Sequence, residues 1–198
     1  MALSTNFVTR FKPIIFLLLL IPSLYWLSLF FLGNLGINPI DRLMDELGLM
    51  AIRLLILTLM ISSLSRSKFF RSFQNIRRMI GLFAFYYVVL HFLTYLVLDH
   101  FFNFKFILKD VLKRPFITFG FTSFLLLIPL AITSTDSMIK KITFKIWKRI
   151  HYLIYIITPL AALHYFLITK SDKTEPLIYI FIILFLLMWR LYQKLIKN

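Results

Sequence analysis

The chain has 198 residues, of which 60% are hydrophobic and 18% aromatic, fractions far above those of a typical soluble domain. Cysteine is absent, which excludes disulfides, iron–sulfur clusters and haem held by a thiolate. A formal net charge of +15 would suggest nucleic acid as the partner of a soluble protein. In a chain this apolar, the distribution of the charge predicts membrane topology instead.

The apolar residues are grouped in blocks long enough to cross a hydrocarbon layer of ~30 Å. They predict an all-α, polytopic membrane protein, with six transmembrane helices in a single domain over residues 1–198. The first block follows Arg10 and Lys12 but lacks a small-x-small cleavage pattern, so it is interpreted as a retained helix. No internal repeat is apparent. The predicted spans are 13–32, 47–64, 79–98, 116–134, 150–169 and 177–193.

Basic residues are concentrated on one side when alternate connections are assigned to opposite sides of the membrane. That side has fifteen Lys and Arg residues and one acid, Asp136, whereas the other has seven basic and seven acidic residues. Because cytoplasmic loops carry an excess of Lys and Arg, the basic side is predicted to be cytoplasmic, with both termini inside. The fifteen are Arg10, Lys12, Arg66, Lys68, Arg71, Arg77, Arg78, Lys140, Lys141, Lys145, Lys148, Arg149, Arg190, Lys194 and Lys197.

The connection between the third and fourth spans has a pattern of its own. Its apolar residues recur at helical spacing, while Lys105, Lys109 and Lys113 lie elsewhere around the helix. This predicts an amphipathic helix on the outer surface, either a plain interfacial anchor, which is the commoner use, or a docking platform for an external partner. The apolar residues are Phe104, Ile107, Leu108, Val111 and Leu112.

Three histidines, His91, His151 and His164, lie within the predicted spans or at their mouth. A titratable side chain is costly at membrane depth and is retained mainly where it faces a bundle interior, a partner or a pathway. Two helices that each offer a neutral imidazole at the same depth can hold a b-type haem between them. For any one histidine alone, a packing role with ordinary hydrogen bonds is the competing interpretation.

Depth favours His91 and His164 as the axial pair. Counted from the cytoplasmic side at 1.5 Å per residue, His91 lies about 18 Å beyond Met79 and His164 about 21 Å beyond Ile150. His151 lies at the cytoplasmic mouth, about 20 Å of helix rise from His164. It would ligate iron by itself, share a ligand, or line a flavin or quinone pocket.

Three arginines are candidates for contact with an anionic group. Arg53 lies within the second span, where it would pair with a haem propionate or a phosphate, or extend to the outer interface. Arg77 and Arg78 would bind a propionate, a flavin phosphate or a lipid, or act only as topology anchors. His100, beside Asp99 at the outer end of the third span, is predicted to be a solvated loop residue.

Five segments resemble the MsrQ family, the haem-binding membrane subunits of the periplasmic protein-methionine-sulfoxide reductase system, within the ferric-reductase-like transmembrane group. Their order and spacing, more than any one segment, carry the resemblance along most of the chain. One departure is Lys-Ile-Thr at Lys141 to Thr143, where the family often has a Leu-Gly pair. The segments are RRMIGLFAFYYVVLH ending at His91, KRPFITFG from Lys113, LAITST from Leu130, WKRIHYLIYI from Trp147 and LHYF from Leu163.

The resemblance implies an electron-transfer subunit of the bacterial inner membrane, not a catalytic subunit. It implies one or two b-type haems associated with His91, His151 and His164, and FMN as a further cofactor. Electrons would come from the quinone pool or a cytoplasmic flavin reductase. They would pass to a periplasmic molybdenum-containing partner that reduces methionine sulfoxide in oxidised proteins.

Two other functions are compatible with the residues. A stand-alone ferric or quinone reductase-type cytochrome would need no partner protein at the outer surface. A small transporter or membrane scaffold, with its histidines in a proton pathway, would bind no haem.

Overall fold

The computed structural model describes residues 10–64 and 71–196. Within these ranges the chain is helical and has no strand, and six helical segments are long and apolar enough to cross a membrane. The predicted all-α, multi-pass architecture with six spans is therefore confirmed. Arg66, Lys68 and Lys197 of the basic set lie outside the described residues. The chain divides into two compact units, Met1–Ile107 and Leu108–Asn198.

The first unit is organised around two long helices, α2 and α3, which pack closely against each other. Their buried faces form its core and include Leu43, Leu47, Leu59, Ile80 and Tyr87. α3 continues as a π-helical turn, and together they form one apolar segment that is long enough to cross a membrane. The elements are α1 Lys12–Phe31, α2 Pro39–Leu64, a 3₁₀ turn Arg71–Phe73, α3 Gln74–Leu93 and the π turn Thr94–Asp99.

α2 begins eight residues before the apolar block that predicted it. Pro39 suits the first turn of a helix, and Asp41 places a negative charge near the positive end of the helix dipole. An ion pair joins Arg42 to Glu46 at 2.6 Å, one turn apart. Polar residues thus extend the helix beyond its apolar part, which hydropathy alone does not detect.

α1 is attached to α3 by a buried tyrosine. The Tyr87 hydroxyl donates to the carbonyl oxygen of Leu19 at 2.7 Å and accepts from the backbone N–H of Ser23 at 3.2 Å. Leu19 and Ser23 are four residues apart, on either side of Pro22 inside the helix. The hydroxyl therefore satisfies backbone groups where a proline interrupts the regular pattern of α1.

The second unit pairs α5 with α8, and α9 packs against α8. Thr135 and Thr143 cap two short helices by accepting from the backbone N–H groups of Met138 and Ile146. α7 and α8 together form the fifth span. The elements are α4 Phe104–Lys113, which contains the boundary between the units, α5 Pro115–Thr133, α6 Asp136–Lys141, α7 Phe144–His151, α8 Ile154–Ile168 and α9 Thr174–Leu195.

α4 has three distinct faces. Ile107 and Asp110 are buried. A second face carries the exposed apolar side chains of Phe104, Leu108 and Leu112. The third face carries Lys105, Lys109 and Lys113, all exposed. The predicted amphipathic helix is therefore formed, with its apolar and basic rows side by side.

Candidate functional site

His91 lies near the end of α3 and contacts the backbone of α2. Its Nδ1 is 2.8 Å from the carbonyl oxygen of Met44. Because a carbonyl oxygen can only accept, Nδ1 carries the proton and donates it. In the neutral ring the lone pair then lies on Nε2, which is the tautomer that a metal ion requires from that nitrogen.

Gly48, one turn beyond Met44 on α2, lies directly against the same imidazole. A Cβ atom built on Gly48 would be 3.0 Å from His91 Nδ1 and 3.2 Å from His91 Cε1. The ring is therefore in contact with helix backbone, in a space that only glycine leaves open.

His164 has the same arrangement in the second unit. It lies on α8, and its Nδ1 donates to the carbonyl oxygen of Phe116 on α5 at 2.7 Å. Gly120, one turn beyond Phe116, lies against the ring, and a Cβ atom built there would be 2.8 Å from Nδ1 and 2.9 Å from Cε1. Nε2 again bears the lone pair.

The two histidines thus share one local design. In each unit a helix supplies a carbonyl acceptor and, four residues later, a glycine, and a second helix supplies the imidazole. His91 follows Gly48 by 43 residues and His164 follows Gly120 by 44, a faint sequence signal of this repetition. The sequence indicates both histidines, but neither the two glycines nor the two carbonyl partners stand out in it.

His151 is held differently. Its Nδ1 donates to the carbonyl oxygen of Trp147 in its own helix at 3.0 Å, and its ring stacks on the Trp147 indole with 4.0 Å between centroids. Its Nε2 is 3.3 Å from the hydroxyl of Ser134, which is also 2.7 Å from the carbonyl oxygen of Leu130. Both ring nitrogens therefore contact groups of the second unit.

The remaining candidates are His100 and the three arginines. The prediction that His100 is solvated is wrong, because its ring packs against Tyr95 and Phe106 and only 14% of its side chain is exposed. Its Nε2 lies 3.5 Å from the Asp99 carboxylate. Arg77 on α3 donates to the Ser62 hydroxyl of α2 at 3.2 Å. The side chains of Arg53 and Arg78 are exposed.

Each histidine by itself is a donor that suits a haem better than a bare metal ion. Among the described residues, no three His, Cys, Asp or Glu side chains come together to enclose a metal. His91 and His164 each offer one imidazole nitrogen in a fixed tautomer. Such donors suit iron whose four equatorial positions are filled by a porphyrin, because that iron needs only axial ligands from the protein.

Comparison with known proteins gives a consistent result. The profile of the family described as "Ferric reductase like transmembrane component" matches residues 47–162, which include His91 and His151 and end two residues before His164. Among similar proteins is the "Protein-methionine-sulfoxide reductase heme-binding subunit MsrQ" of Caulobacter vibrioides, 42% identical over 88% of this chain and 88% of that protein.

Two further relatives extend the comparison. The protein of the same name from Herminiimonas arsenicoxydans is 44% identical over 96% of this chain and 90% of its own length. The "Magnetosome protein MamZ" of Magnetospirillum gryphiswaldense is 41% identical over 92% of this chain, which corresponds to only 29% of that longer protein. With this identity along most of its length, the chain is a multi-pass membrane protein that belongs to the MsrQ family, within the ferric-reductase-like transmembrane group.

Proposed function

We propose that the chain is a transmembrane b-type cytochrome subunit of the bacterial inner membrane, with His91 and His164 as the axial ligands of one haem. Its role is to carry electrons across the membrane to a periplasmic molybdenum-containing methionine-sulfoxide reductase that repairs oxidised proteins. The observation that supports this most strongly is the repeated histidine design, in which each Nδ1 is fixed by a backbone carbonyl. The names of the MsrQ relatives, which describe heme-binding subunits, point to the same cofactor.

The carbonyl contacts have a chemical purpose in this proposal. A hydrogen bond from Nδ1 to Met44 or Phe116 orients the ring, fixes its tautomer and makes Nε2 a stronger electron donor. Haem, when bound by the two nitrogens, supplies one-electron redox chemistry. The residues of the chain hold it at a set depth, and their apolar surroundings exclude water.

Helix direction supports a similar depth for the two ligands. α2 and α5 form the second and fourth spans, so both cross the membrane in the same direction. Their acceptor carbonyls, at Met44 and Phe116, both lie within the first two turns of these helices. We therefore place the haem in the outer half of the membrane. Since one ligand comes from each unit, this proposal treats residues 1–198 as one haem-binding domain.

His151 is assigned to a second, inner level. It lies about 20 Å of helix rise below His164, near the cytoplasmic face. There it would ligate a second haem or line the site at which FMN, the quinone pool or a cytoplasmic flavin reductase delivers electrons. Arg77 and Arg78 would contact a phosphate or propionate at this level, and Arg53 a propionate further out.

A stand-alone ferric or quinone reductase is the second candidate function, and the match to the ferric-reductase-like profile favours it. The same haem site serves both functions, so the electron acceptor separates them. If the reduced, purified cytochrome is reoxidised by the periplasmic reductase and a methionine sulfoxide substrate, the partner function is supported. Rapid reoxidation by ferric chelates alone supports the stand-alone function.

The haem itself is tested by the dithionite-reduced minus oxidised visible spectrum of the detergent-purified protein, with haem quantified per polypeptide. We expect a low-spin b-type signal that is lost or converted to high spin in His91→Ala and in His164→Ala. His100→Ala is the matched control and should retain the wild-type spectrum. An unchanged spectrum in both ligand variants would contradict the axial pair, and a haem-free wild-type protein would favour the transporter or scaffold function.

A further inference from the structure

Glycine is scarce in this chain and is used selectively. There are five glycines, and Gly33 and Gly36 have positive φ angles in a connecting segment. The other three, Gly48, Gly81 and Gly120, lie within helices, where glycine is less favourable than alanine. A glycine in a helix that crosses the membrane therefore needs a reason in packing or function.

The three helical glycines have different neighbours. A Cβ atom on Gly81 would meet only Thr58 Cγ2, at the ordinary contact distance of 3.8 Å. A Cβ atom on Gly48 would lie 3.0 Å from His91 Nδ1, and one on Gly120 would lie 2.8 Å from His164 Nδ1. Gly48 and Gly120 are therefore the two whose missing side chain makes room for an imidazole.

An imidazole that moved away from an added methyl group would change its hydrogen bond and the position of its Nε2 atom. In both cases the edge formed by Nδ1 and Cε1 lies against the glycine, with Cε1 at 3.2 Å from the built Cβ of Gly48 and 2.9 Å from that of Gly120. The Nδ1 atom of that edge is the one held by the carbonyl. Cε1 is bonded to Nε2, so any tilt that relieves the contact also moves the nitrogen that would bind iron.

We infer that Gly48 and Gly120 are positioning residues, which set the orientation of His91 and His164 by allowing each ring to lie flush against helix backbone. This inference rests on the proposed haem ligation. The geometry also sets an order of sensitivity. The closer contacts at Gly120 require the larger displacement, so His164 is the ligand more easily disturbed.

The test uses Gly48→Ala and Gly120→Ala in the full-length protein, with Gly81→Ala as the matched control. The readouts are haem per polypeptide, the midpoint potential, and the electron paramagnetic resonance g values of the low-spin ferric haem, which respond to the orientation of the axial rings. We expect Gly81→Ala to match the wild type and Gly120→Ala to weaken haem affinity about 10- to 100-fold, the usual effect of losing support for a metal ligand. Gly48→Ala should have a smaller effect in the same direction.

A double-mutant cycle gives a readout that does not require haem. On propensity alone, alanine should stabilise the helix relative to glycine. We expect Gly120→Ala to lower the melting temperature of the apoprotein when His164 is present. The same change should leave the melting temperature unchanged or raise it in a His164→Ala background. If Gly120→Ala does not fold at all, the double variant should restore folding.

The outcomes separate this inference from the proposed function. A wild-type protein without haem would refute the ligation on which the inference rests. If the wild type binds haem but both glycine variants keep its affinity, potential and g values, haem ligation stands and the positioning role is wrong. An equal loss of stability in the His164 and His164→Ala backgrounds would likewise overturn it, since the added methyl group would then act on something other than the imidazole.

Discussion

The Tyr87 hydroxyl illustrates how a single side-chain group can stabilise a neighbouring helix that contains a proline. It donates to the carbonyl oxygen of Leu19 and accepts from the N–H of Ser23, and the side chain is fully buried. Tyr86, its neighbour, only shares a hydrogen bond of 3.1 Å with the Ser23 hydroxyl, which also donates to the carbonyl oxygen of Leu20. The two tyrosines therefore form a matched pair with unequal roles.

We predict that Tyr87→Phe lowers the free energy of unfolding by about 1 to 2 kcal/mol, because two buried backbone groups lose a partner. Tyr86→Phe should lower the free energy of unfolding by less than half as much, since the Ser23 hydroxyl keeps its hydrogen bond to the Leu20 carbonyl oxygen. Unfolding by a denaturing detergent, followed by circular dichroism, measures both. Equal losses in the two variants would show that the hydroxyl of Tyr87 has no special role in α1.

The sequence revealed the candidate histidines but not what holds them. His91 and His164 are recognisable because a titratable group inside an apolar block is rare and costly. Their supports are a backbone carbonyl and an absent side chain, and neither has a residue type that identifies it. Gly48 and Gly120 become informative only when the fold brings each one against an imidazole from more than 40 residues away.

At the level of elements, α4 combines features that a simple anchor does not need. Its exposed apolar row, formed by Phe104, Leu108 and Leu112, suits the membrane interface. Its basic row supplies three of the seven basic residues on the predicted outer side, where seven acids outnumber the other four. The acid within α4, Asp110, is buried and pairs with Arg114 at 3.4 Å. The lysines thus present a positive strip.

We predict that Lys105→Glu combined with Lys109→Glu slows electron transfer from the reduced cytochrome to the proposed periplasmic partner several-fold at low salt. The difference should shrink as salt screens the attraction between the proteins. Haem content should be unchanged. The control is Lys170→Glu, which also replaces an exposed positive charge with a negative one, in another predicted outer loop. It should have little effect on the rate of electron transfer. An unchanged rate would assign α4 to anchoring alone, and loss of haem would make it structural.

Element boundaries show where hydropathy is sufficient and where it is not. The six spans were predictable because each contains a block that is apolar over most of its length. The early start of α2 at Pro39 was not, because four charged residues surround the buried Leu43 in its first turns and lower their hydropathy. The amphipathic helix α7 at the start of the fifth span also escaped prediction, since Lys145, Lys148 and Arg149 make it too polar to be recognised by hydropathy.

At the scale of the whole molecule, span order connects the two histidine designs. α2 and α5 cross in one direction, and α3 and α8, which carry His91 and His164, cross in the other. In each unit the acceptor carbonyl and the glycine come from one span, and the histidine comes from the next span. The sequence carries little trace of this repetition beyond the spacing from glycine to histidine, 43 residues in one unit and 44 in the other, because a backbone carbonyl has no residue type of its own.

Topology decides which membrane surface lies closer to His91 and His164. It is simple to test, because the chain contains no cysteine. Ser171→Cys and Ser137→Cys are matched changes at exposed positions on opposite predicted sides. We predict that a membrane-impermeant maleimide labels the Ser171→Cys variant in intact spheroplasts, and labels the Ser137→Cys variant only after lysis. This follows from the excess of Lys and Arg on the side of Ser137.

The opposite labelling pattern would have consequences beyond orientation. With six spans, both termini lie on the same side, so reversal would move them together to the periplasm. The carbonyls of Met44 and Phe116, and with them His91 and His164, would then lie nearer the cytoplasm, and α4 would face the cytoplasm with its lysines. A periplasmic acceptor would be left with His151 as its nearest histidine. The predicted labelling is therefore the result that the proposed direction of electron flow requires.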